Sequence, residues 1–201
     1  MHKKIEVYCT LGPKSLNSKF LKFANKNISL LRLNMSHIEP NKLEKIIKFI
    51  KKNSKTPICI DTEGAQIRTK VKTKKYFKKN QKILLSKKNG NFSIYPETTF
   101  DKLKKNDILD IGFEDLKAKI ISKNDSEIKL NTISAGTLEK NKGVYIVNRK
   151  IKLNFLTKKD LEAIKIARSY NIKNFALSFT NSENDIKKFS QILPDVRKIY
   201  K

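Results

Sequence analysis

The sequence predicts an α/β fold in which strands and helices alternate at both ends of the chain and an all-β segment lies between them. Two observations lead to this prediction. At both ends, short apolar runs are followed by segments whose apolar residues recur at helical spacing. From residue 64 to residue 149 the apolar segments are short, alternating and separated by turns such as KKNGN. The predicted domains are therefore an α/β part, 1–63 and 150–201, and an inserted small all-β part, 64–149.

The N-terminal part supplies three strands and two helices. The apolar, β-branched-rich runs predict strands at 5–10, 28–35 and 57–61. Gly12-Pro13 ends the first strand, and Pro40 opens the second helix. Leu16, Phe20 and Phe23 recur at near-helical spacing and predict the first helix. In the second helix one buried face is predicted from the i, i+3, i+4 and i+7 spacing of Leu43, Ile46, Ile47 and Ile50.

The C-terminal part supplies two helices and two strands. Thr157, with Asp160 three residues later, is close to a capping box and begins one helix; Ser182 begins the other. Strands are predicted at 175–179 and 196–201. The residues expected to face inward are Leu161, Ile164 and Ala167 in the first helix and Ile186, Phe189, Ile192 and Leu193 in the second.

Composition limits the possible environments of the chain. No run approaches the roughly 18 apolar residues of a membrane helix, so a membrane span is not expected. The start, MHKKIEVYCT, has no apolar signal-peptide core, which favours a cytoplasmic location. Cys9 and Cys59 each lie in an apolar run without metal-ligand spacing, and they are expected to behave as small buried hydrophobes.

The net charge of +26 raises the question of a polyanionic partner. The cations are mostly Lys spread over the whole chain, whereas nucleic-acid recognition favours Arg forks and aromatic stacking. A solvated basic surface therefore explains the charge better, and a nucleic-acid-binding function is the weaker alternative.

Polar residues follow two of the predicted strands at their C-terminal ends. In SLLRLNMSH, alternation puts Arg32, Asn34 and Ser36 on one face of a strand that should be buried on both faces. Asp61 and Thr62 similarly end the third strand. Parallel α/β folds bind ligands at the carboxyl ends of their strands, so these residues predict a site. The alternative is that Arg32 and Asp61 only pair with each other.

Several blocks, in order along the whole chain, resemble pyruvate kinase. They are CTLGPKS at residues 9–15, LLRLNMSH, IDTEGAQIRT, AGTLEKNKGV, LTKKD and FALSF. The resemblance implies a partial TIM (β/α)8 barrel made of the first five of eight strands. The inserted segment would then be the family's mobile B, or lid, domain. It also implies the transfer of phosphate from phosphoenolpyruvate to ADP, the last step of glycolysis, with Mg²⁺ and K⁺ as cofactors.

The resemblance assigns roles to individual residues. Arg32 and Lys201 would be catalytic and, with Ser178, would bind substrate. The K⁺ ligands would be Asn34, Ser36, Asp61 and the backbone oxygen of Thr62. The residues that would contact nucleotide are Asn34, Ser36, His37, Arg68 and Lys142. The alternatives are that Lys142 is one surface Lys among many and that Lys201 has no role.

The sequence also departs from the family pattern. Its Lys-Gly-Pro-Glu-Ile-Arg becomes Glu63-Gly64-Ala65-Gln66-Ile67-Arg68, and its Asp-Asp-Gly becomes Asp110-Ile111-Gly112. Its Asn-Leu-Pro-Gly becomes Tyr145-Ile146-Val147-Asn148. These changes bear on nucleotide binding and lid closure more than on the K⁺ site. The family's two acidic Mg²⁺ ligands would follow residue 201, so no Mg²⁺ ligand is assigned within the chain.

Five strands of a barrel leave two edges and apolar faces uncovered. The chain is therefore expected to be an N-terminal part of a pyruvate kinase that is poorly stable and inactive alone, while the complete family enzyme would be a homo-oligomer, a tetramer. Two other functions stay open. One is a non-catalytic pyruvate-kinase-like binder of phosphate or nucleotide, and the other is the basic nucleic-acid-binding protein considered above.

Overall fold

The structure is a computed structural model that describes residues 5–113 and 115–201. It divides into two compact units, one formed by Met1–Ala65 with Asn154–Lys201 and the other by Gln66–Leu153. The all-β part predicted from the sequence is 64–149, and unit two is Gln66–Leu153. Each unit is described separately below.

In chain order, the first part of unit one contains β1 (Tyr8–Thr10), α1 (Ser18–Asn27), β2 (Leu30–Asn34), α2 (Pro40–Asn53) and β3 (Ile58–Asp61). Unit two contains β4 (Ile67–Val71), β5 (Lys75–Phe77), β6 (Lys82–Ser86), β7 (Phe92–Tyr95), α3 (Thr99–Lys102), β8 (Ile108–Ile111), β9 (Leu116–Lys123), β10 (Glu127–Thr132), β11 (Gly136–Leu138) and β12 (Gly143–Ile146). The chain then returns to unit one with α4 (Lys158–Ser169), β13 (Asn174–Leu177), α5 (Glu183–Ile192) and β14 (Arg197–Tyr200).

Unit one is built on a five-stranded parallel sheet in the order β1-β2-β3-β13-β14. At the two edges of the sheet, Arg197 of β14 lies 2.8 Å from the Glu6 carboxylate and donates a hydrogen bond to the Tyr8 hydroxyl of β1. Strands in sequential order whose edges approach each other form a barrel-like sheet. The predicted partial barrel is confirmed.

The two faces of this sheet are different. Large apolar residues such as Leu31, Ile60 and Phe175 pack in the main core with the helices. A small cluster of Leu30, Cys59 and Ala176, with Ile199 packed against it, occupies the opposite, inner face. The inner face thus holds few apolar groups, and the polar strand-end residues lie on it.

The residues buried by α1 differ from those whose spacing predicted this helix. Asn17 caps the helix by accepting a hydrogen bond from the Phe20 backbone, so the helix begins after Leu16. Leu21 and Ala24 are its buried residues, while Phe23 is 55% exposed. Leu16 and Phe20 are half-buried and pack against the main core, so only Phe23 of the three predicted residues lies toward solvent.

The C-terminal helices match the prediction better. The capping box of Thr157 and Asp160 at α4 is confirmed. Leu161 is 49% exposed, against the prediction, because the buried stripe of α4 runs through Asp160, Ala163, Ile164 and Ala167. In α5, Phe189 is buried as predicted, together with Leu193 at the C-cap, while Ile186 and Ile192 are only half-buried.

Unit two is an all-β unit with its own apolar core. Its larger sheet has the order β6-β10-β9-β8-β12-β4-β7, and β11 pairs with β5 in a second, two-stranded sheet. All of these pairings are antiparallel. The first and last strands of the unit are neighbours, since Val144 of β12 pairs with Ile67 of β4.

Within the described part of the chain, we find no helix that has both the length and the apolar character needed to span a membrane.

Candidate functional site

The register of the parallel sheet brings the polar strand ends side by side. Thr10 pairs with Arg32 across β1 and β2, and Asn34 pairs with Asp61 across β2 and β3. Paired residues of neighbouring strands project from the same face of a sheet. The polar face predicted for SLLRLNMSH is thus the inner face of the partial barrel, at the C-terminal ends of its strands.

The Asp61 carboxylate is the centre of this cluster and is fully buried. Its Oδ2 accepts hydrogen bonds from Arg32 Nε at 2.7 Å and from Lys201 Nζ at 2.9 Å, and Arg32 Nη2 contacts the same oxygen. Its Oδ1 accepts a hydrogen bond from the Ser178 hydroxyl at 2.8 Å. Arg32 and Asp61 do pair, as the alternative proposed, but Lys201 and Ser178 join them at the same carboxylate.

The cluster carries two cations and one carboxylate, which leaves a net positive charge at the strand ends. The Asp61 side chain is 1% exposed, whereas the side chains of Arg32 and Lys201 are 29% and 41% exposed. The buried acid therefore holds two cationic groups that both reach solvent. Such an arrangement favours an anionic ligand, and a guanidinium suits the oxygens of a phosphate.

Thr10 and Asp160 are members of this region to which the sequence analysis gave no place in the site. Thr10 Oγ1 accepts a hydrogen bond from Arg32 Nη1 at 2.7 Å. The buried Asp160 carboxylate accepts hydrogen bonds from the backbone of Glu63 at 2.7 Å and of Gly64 at 3.2 Å. Asp160 thereby fixes the turn that follows Asp61. The only sequence signals were the polar end of the first strand and the capping box.

The turn after β3 also requires a glycine. Gly64 has a φ of +71°, and a Cβ at this position would lie 2.1 Å from the carbonyl oxygen of Ser178. Thr62 strengthens the same contact, because its hydroxyl accepts a hydrogen bond from the Ser178 backbone at 3.1 Å. The ends of β3 and β13 are thus held closely together around the Asp61–Ser178 hydrogen bond.

The four predicted K⁺ ligands present suitable atoms. Asn34, Ser36, Asp61 and Thr62 supply amide, hydroxyl, carboxylate and carbonyl oxygens, which are the donors that hard cations take. Asn34 Oδ1 accepts a hydrogen bond from the Ser36 backbone at 3.0 Å, which makes the end of β2 a tight turn. Asp61 Oδ1 accepts the hydrogen bond from Ser178, and a carboxylate oxygen can accept two, so the donor types of these residues suit a cation.

The predicted nucleotide contacts divide between the two units. Asn34 is the last residue of β2, and Ser36 and His37 lie in the turn that follows it, where His37 is exposed. Arg68 and Lys142 lie in unit two, where Arg68 pairs with Gly143, the residue after Lys142. The structure therefore places Arg68 and Lys142 close together in unit two.

Lys142 is engaged by an acidic neighbour. Its Nζ lies 2.8 Å from the Glu139 carboxylate, which Lys74 also contacts at 2.9 Å. The hydrogen bonds from these two cations lower the pKa of Glu139 to about 2. The same pairing raises the pKa of Lys142, so its ammonium group stays charged across the physiological range.

The two cysteines differ in their surroundings. Cys59 is buried on the inner face of the sheet, as expected, and its burial raises the pKa of its thiol to about 12. Cys9 is only half-buried, so the expectation of burial fails there. Within residues 5–113 and 115–201, no group of three or more His, Cys, Asp or Glu side chains is placed to hold a metal.

Comparisons with known proteins agree with this architecture. The family model described as pyruvate kinase, barrel domain, matches residues 2–200. Pyruvate kinase of Staphylococcus epidermidis is 29% identical over 208 residues, which cover 96% of this chain and 36% of that protein. Pyruvate kinase of Methanocaldococcus jannaschii is 28% identical over 199 residues, or 98% of this chain and 42% of that protein.

A solved structure supports the fold independently. The crystal structure of Cryptosporidium parvum pyruvate kinase superimposes with a TM-score of 0.83 and 24% identity, and it covers 93% of this chain and 42% of that one. The chain thus spans about two fifths of the length of these relatives. On the match of nearly its whole length to the barrel-domain model, the chain belongs to the pyruvate kinase family.

Proposed function

We propose that this chain supplies the phosphoenolpyruvate-binding part of a pyruvate kinase site, which transfers phosphate to ADP and yields pyruvate and ATP. The observation that carries the proposal is that Arg32 and Lys201, from strands far apart in the sequence, meet at the buried Asp61 carboxylate. Phosphoryl transfer depends mainly on positioning and on neutralising negative charge. Two cations fixed at the strand ends meet both needs.

In this proposal Arg32 binds the phosphate group, and Lys201 neutralises the charge that develops on the phosphate and the enolate oxygen. Ser178 lies beside the substrate and keeps Asp61 oriented through its hydrogen bond. Asp61 serves as the anchor for both cations rather than as a proton carrier. Supporting this, each cation keeps part of its side chain open to solvent.

The cofactors would be K⁺ and Mg²⁺. Asn34, Ser36, Asp61 and Thr62 would hold K⁺, which supplies further positive charge beside the phosphate. The family's Mg²⁺ carboxylates have no assigned counterpart in this chain, so we derive no step from them. In unit one, nucleotide would contact Asn34, Ser36 and His37. By the same resemblance, the complete enzyme would be a cytoplasmic homo-oligomer.

Calorimetric titration of the 201-residue chain with phosphoenolpyruvate in KCl tests the proposal. We expect binding, and we expect Arg32→Gln to weaken it at least tenfold because a charge-assisted hydrogen-bonding group is lost. Arg168→Gln is the matched control, since it removes an exposed guanidinium from the C-terminal end of α4. The proposal would be contradicted if the wild-type chain did not bind phosphoenolpyruvate, or if both variants lost the same amount of affinity for it.

Turnover is a separate question. In a coupled assay with phosphoenolpyruvate, ADP, Mg²⁺ and K⁺, we expect no turnover by this chain alone. Ordinary kinases turn over at ~1–100 per second. Reading the coding sequence past codon 201 separates an enzyme from a non-catalytic binder. An Ile-Glu followed by a strand resembling Gly-Asp-Leu-Gly supports the enzyme.

A further inference from the structure

The guanidinium of Arg32 is held from both sides. Arg32 lies on β2, and its Nε and Nη2 contact Asp61 on the neighbouring strand β3. Its Nη1 donates to the hydroxyl of Thr10 on the other neighbour, β1, at 2.7 Å. The side chain is thus fixed between two strands of a rigid sheet rather than left to rotate at its edge.

These contacts leave a defined set of donors. A guanidinium has five N–H hydrogens in one plane. Asp61 takes one from Nε and one from Nη2, and Thr10 takes one from Nη1. Two hydrogens remain, one on each terminal nitrogen, and the side chain is 29% exposed. A phosphate group accepts hydrogen bonds in pairs from a guanidinium, so this remaining pair is suited to it.

The hydrogen bond between Thr10 and Arg32 is not required to satisfy a buried polar group. Thr10 is exposed, so water could solvate its hydroxyl if the contact with Arg32 were lost. Its hydrogen bond therefore contributes little to folding, and its clear effect is on the direction of the Arg32 donors. A group held in its binding geometry before the ligand arrives loses less conformational entropy on binding.

We propose that Thr10 is a positioning residue for phosphate recognition, which holds Arg32 so that its two remaining N–H groups face the phosphate of the substrate. This inference rests on the proposed function, because it takes Arg32 as the group that binds the phosphate. Thr10 itself contacts the guanidinium and need not touch the ligand.

Two substitutions at Thr10 test the inference. Thr10→Val keeps the shape of the side chain and removes the hydroxyl, while Thr10→Ser keeps the hydroxyl. Titration with phosphoenolpyruvate should show about tenfold weaker binding for Thr10→Val and affinity within about twofold of wild type for Thr10→Ser. The midpoint of thermal unfolding should be the same for all three proteins.

A second readout follows the side chain directly. Nuclear magnetic resonance of ¹⁵N-labelled arginine, without ligand, should show slow rotation about the Nε–Cζ bond of Arg32 in wild type and in Thr10→Ser. Faster rotation is expected in Thr10→Val. Assignment of the Arg32 signal comes from its loss in Arg32→Gln.

The outcomes separate this inference from the proposed function. If wild type binds phosphoenolpyruvate and Thr10→Val binds it with the same affinity, only the role of Thr10 is overturned. Equal weakening in Thr10→Val and Thr10→Ser, or a lower unfolding midpoint that accounts for the loss, also overturns it. Absence of phosphoenolpyruvate binding in wild type overturns both proposals, whereas weakening confined to Thr10→Val supports both.

Discussion

Ser178 donates its hydroxyl hydrogen to Oδ1 of Asp61 at 2.8 Å, although the two residues are 117 positions apart. The bond joins the ends of β3 and β13, which flank the inserted unit in sequence. Because the other oxygen of Asp61 binds Arg32 and Lys201, this one carboxylate connects the ends of four strands.

Asp61→Asn should destabilise unit one by about 2 kcal/mol. Removing one partner from a buried ion pair costs roughly 3–5 kcal/mol, and the solvent exposure of Arg32 and Lys201 reduces this cost. Urea-induced unfolding measures the change. Asp195→Asn, an exposed position in the turn before β14, is the control and should stay within about 0.5 kcal/mol of wild type. Equal changes in the free energy of unfolding for Asp61→Asn and Asp195→Asn would contradict the role of Asp61.

Asp160→Asn should cost about 2 kcal/mol and also loosen the turn after β3. The carboxylate accepts hydrogen bonds from the backbone of Glu63, Gly64 and Thr157, and an amide can accept with only one of its two terminal atoms. Hydrogen exchange of the Glu63 and Gly64 amides should quicken in this variant, and urea unfolding gives the free energy.

A matched control for Asp160 exists in the next helix. Asp185 occupies the same third position of α5 behind a Ser cap, and its side chain is more exposed. Asp185→Asn should change the free energy of unfolding by no more than about 0.5 kcal/mol. If it destabilises as much as Asp160→Asn, the contribution of Asp160 is that of an ordinary helix cap.

Gly64→Ala should destabilise unit one by more than about 2 kcal/mol. The added Cβ would lie 2.1 Å from a backbone oxygen of Ser178, and the positive φ of +71° disfavours any side chain there. Gly12→Ala is the control, because no atom lies within 4 Å of its Cβ position. Thermal unfolding of both variants should show a clear loss for Gly64→Ala and almost none for Gly12→Ala.

Cys59 should make the free energy of unfolding of the chain fall at alkaline pH. Burial raises the pKa of its thiol from 9.0 to about 12. The folded state therefore keeps the thiol neutral while the unfolded state ionises above pH 9, so stability falls as the pH rises from 9 toward 12. At pH 10 the loss from this single group should be on the order of 1 kcal/mol.

The contribution of Cys59 is isolated by comparing pH profiles. The difference in free energy of unfolding between wild type and Cys59→Ala should be constant up to about pH 8 and should shift toward the variant by on the order of 1 kcal/mol by pH 10. In the folded chain, iodoacetamide should modify the half-buried Cys9 much faster than Cys59. Parallel pH profiles would contradict a buried, neutral thiol.

The sequence permitted prediction of features that depend on local patterns. Alternation along SLLRLNMSH identified the polar face that carries Arg32, and the Thr157–Asp160 spacing identified the capping box. Contacts between distant strands have no such pattern. Thr10 meets Arg32 across 22 positions, and Asp160 meets Glu63 across 97, so their places at the site became visible only in the fold.

Errors arose where two local patterns competed. In α1 the near-helical spacing of Leu16, Phe20 and Phe23 included one exposed residue, Phe23, and missed the buried Leu21 and Ala24. In α4, Leu161 lies one residue beyond Asp160 and is rotated about 100° from it around the helix axis, at the exposed margin of the buried stripe. Hydrophobicity alone could not choose between these faces.

The pairing of Val144 with Ile67 also has a consequence for the order in which the chain folds. β3 and β13 are neighbours in the sheet, yet all of unit two separates them along the chain. Once β4 and β12 have paired, the two ends of the insertion are already adjacent, and the loop that must close to join β3 to β13 becomes short. Loop-closure entropy rises with loop length, so the expected order is unit two first, followed by completion of the parallel sheet and, last, by assembly of the residues around Asp61.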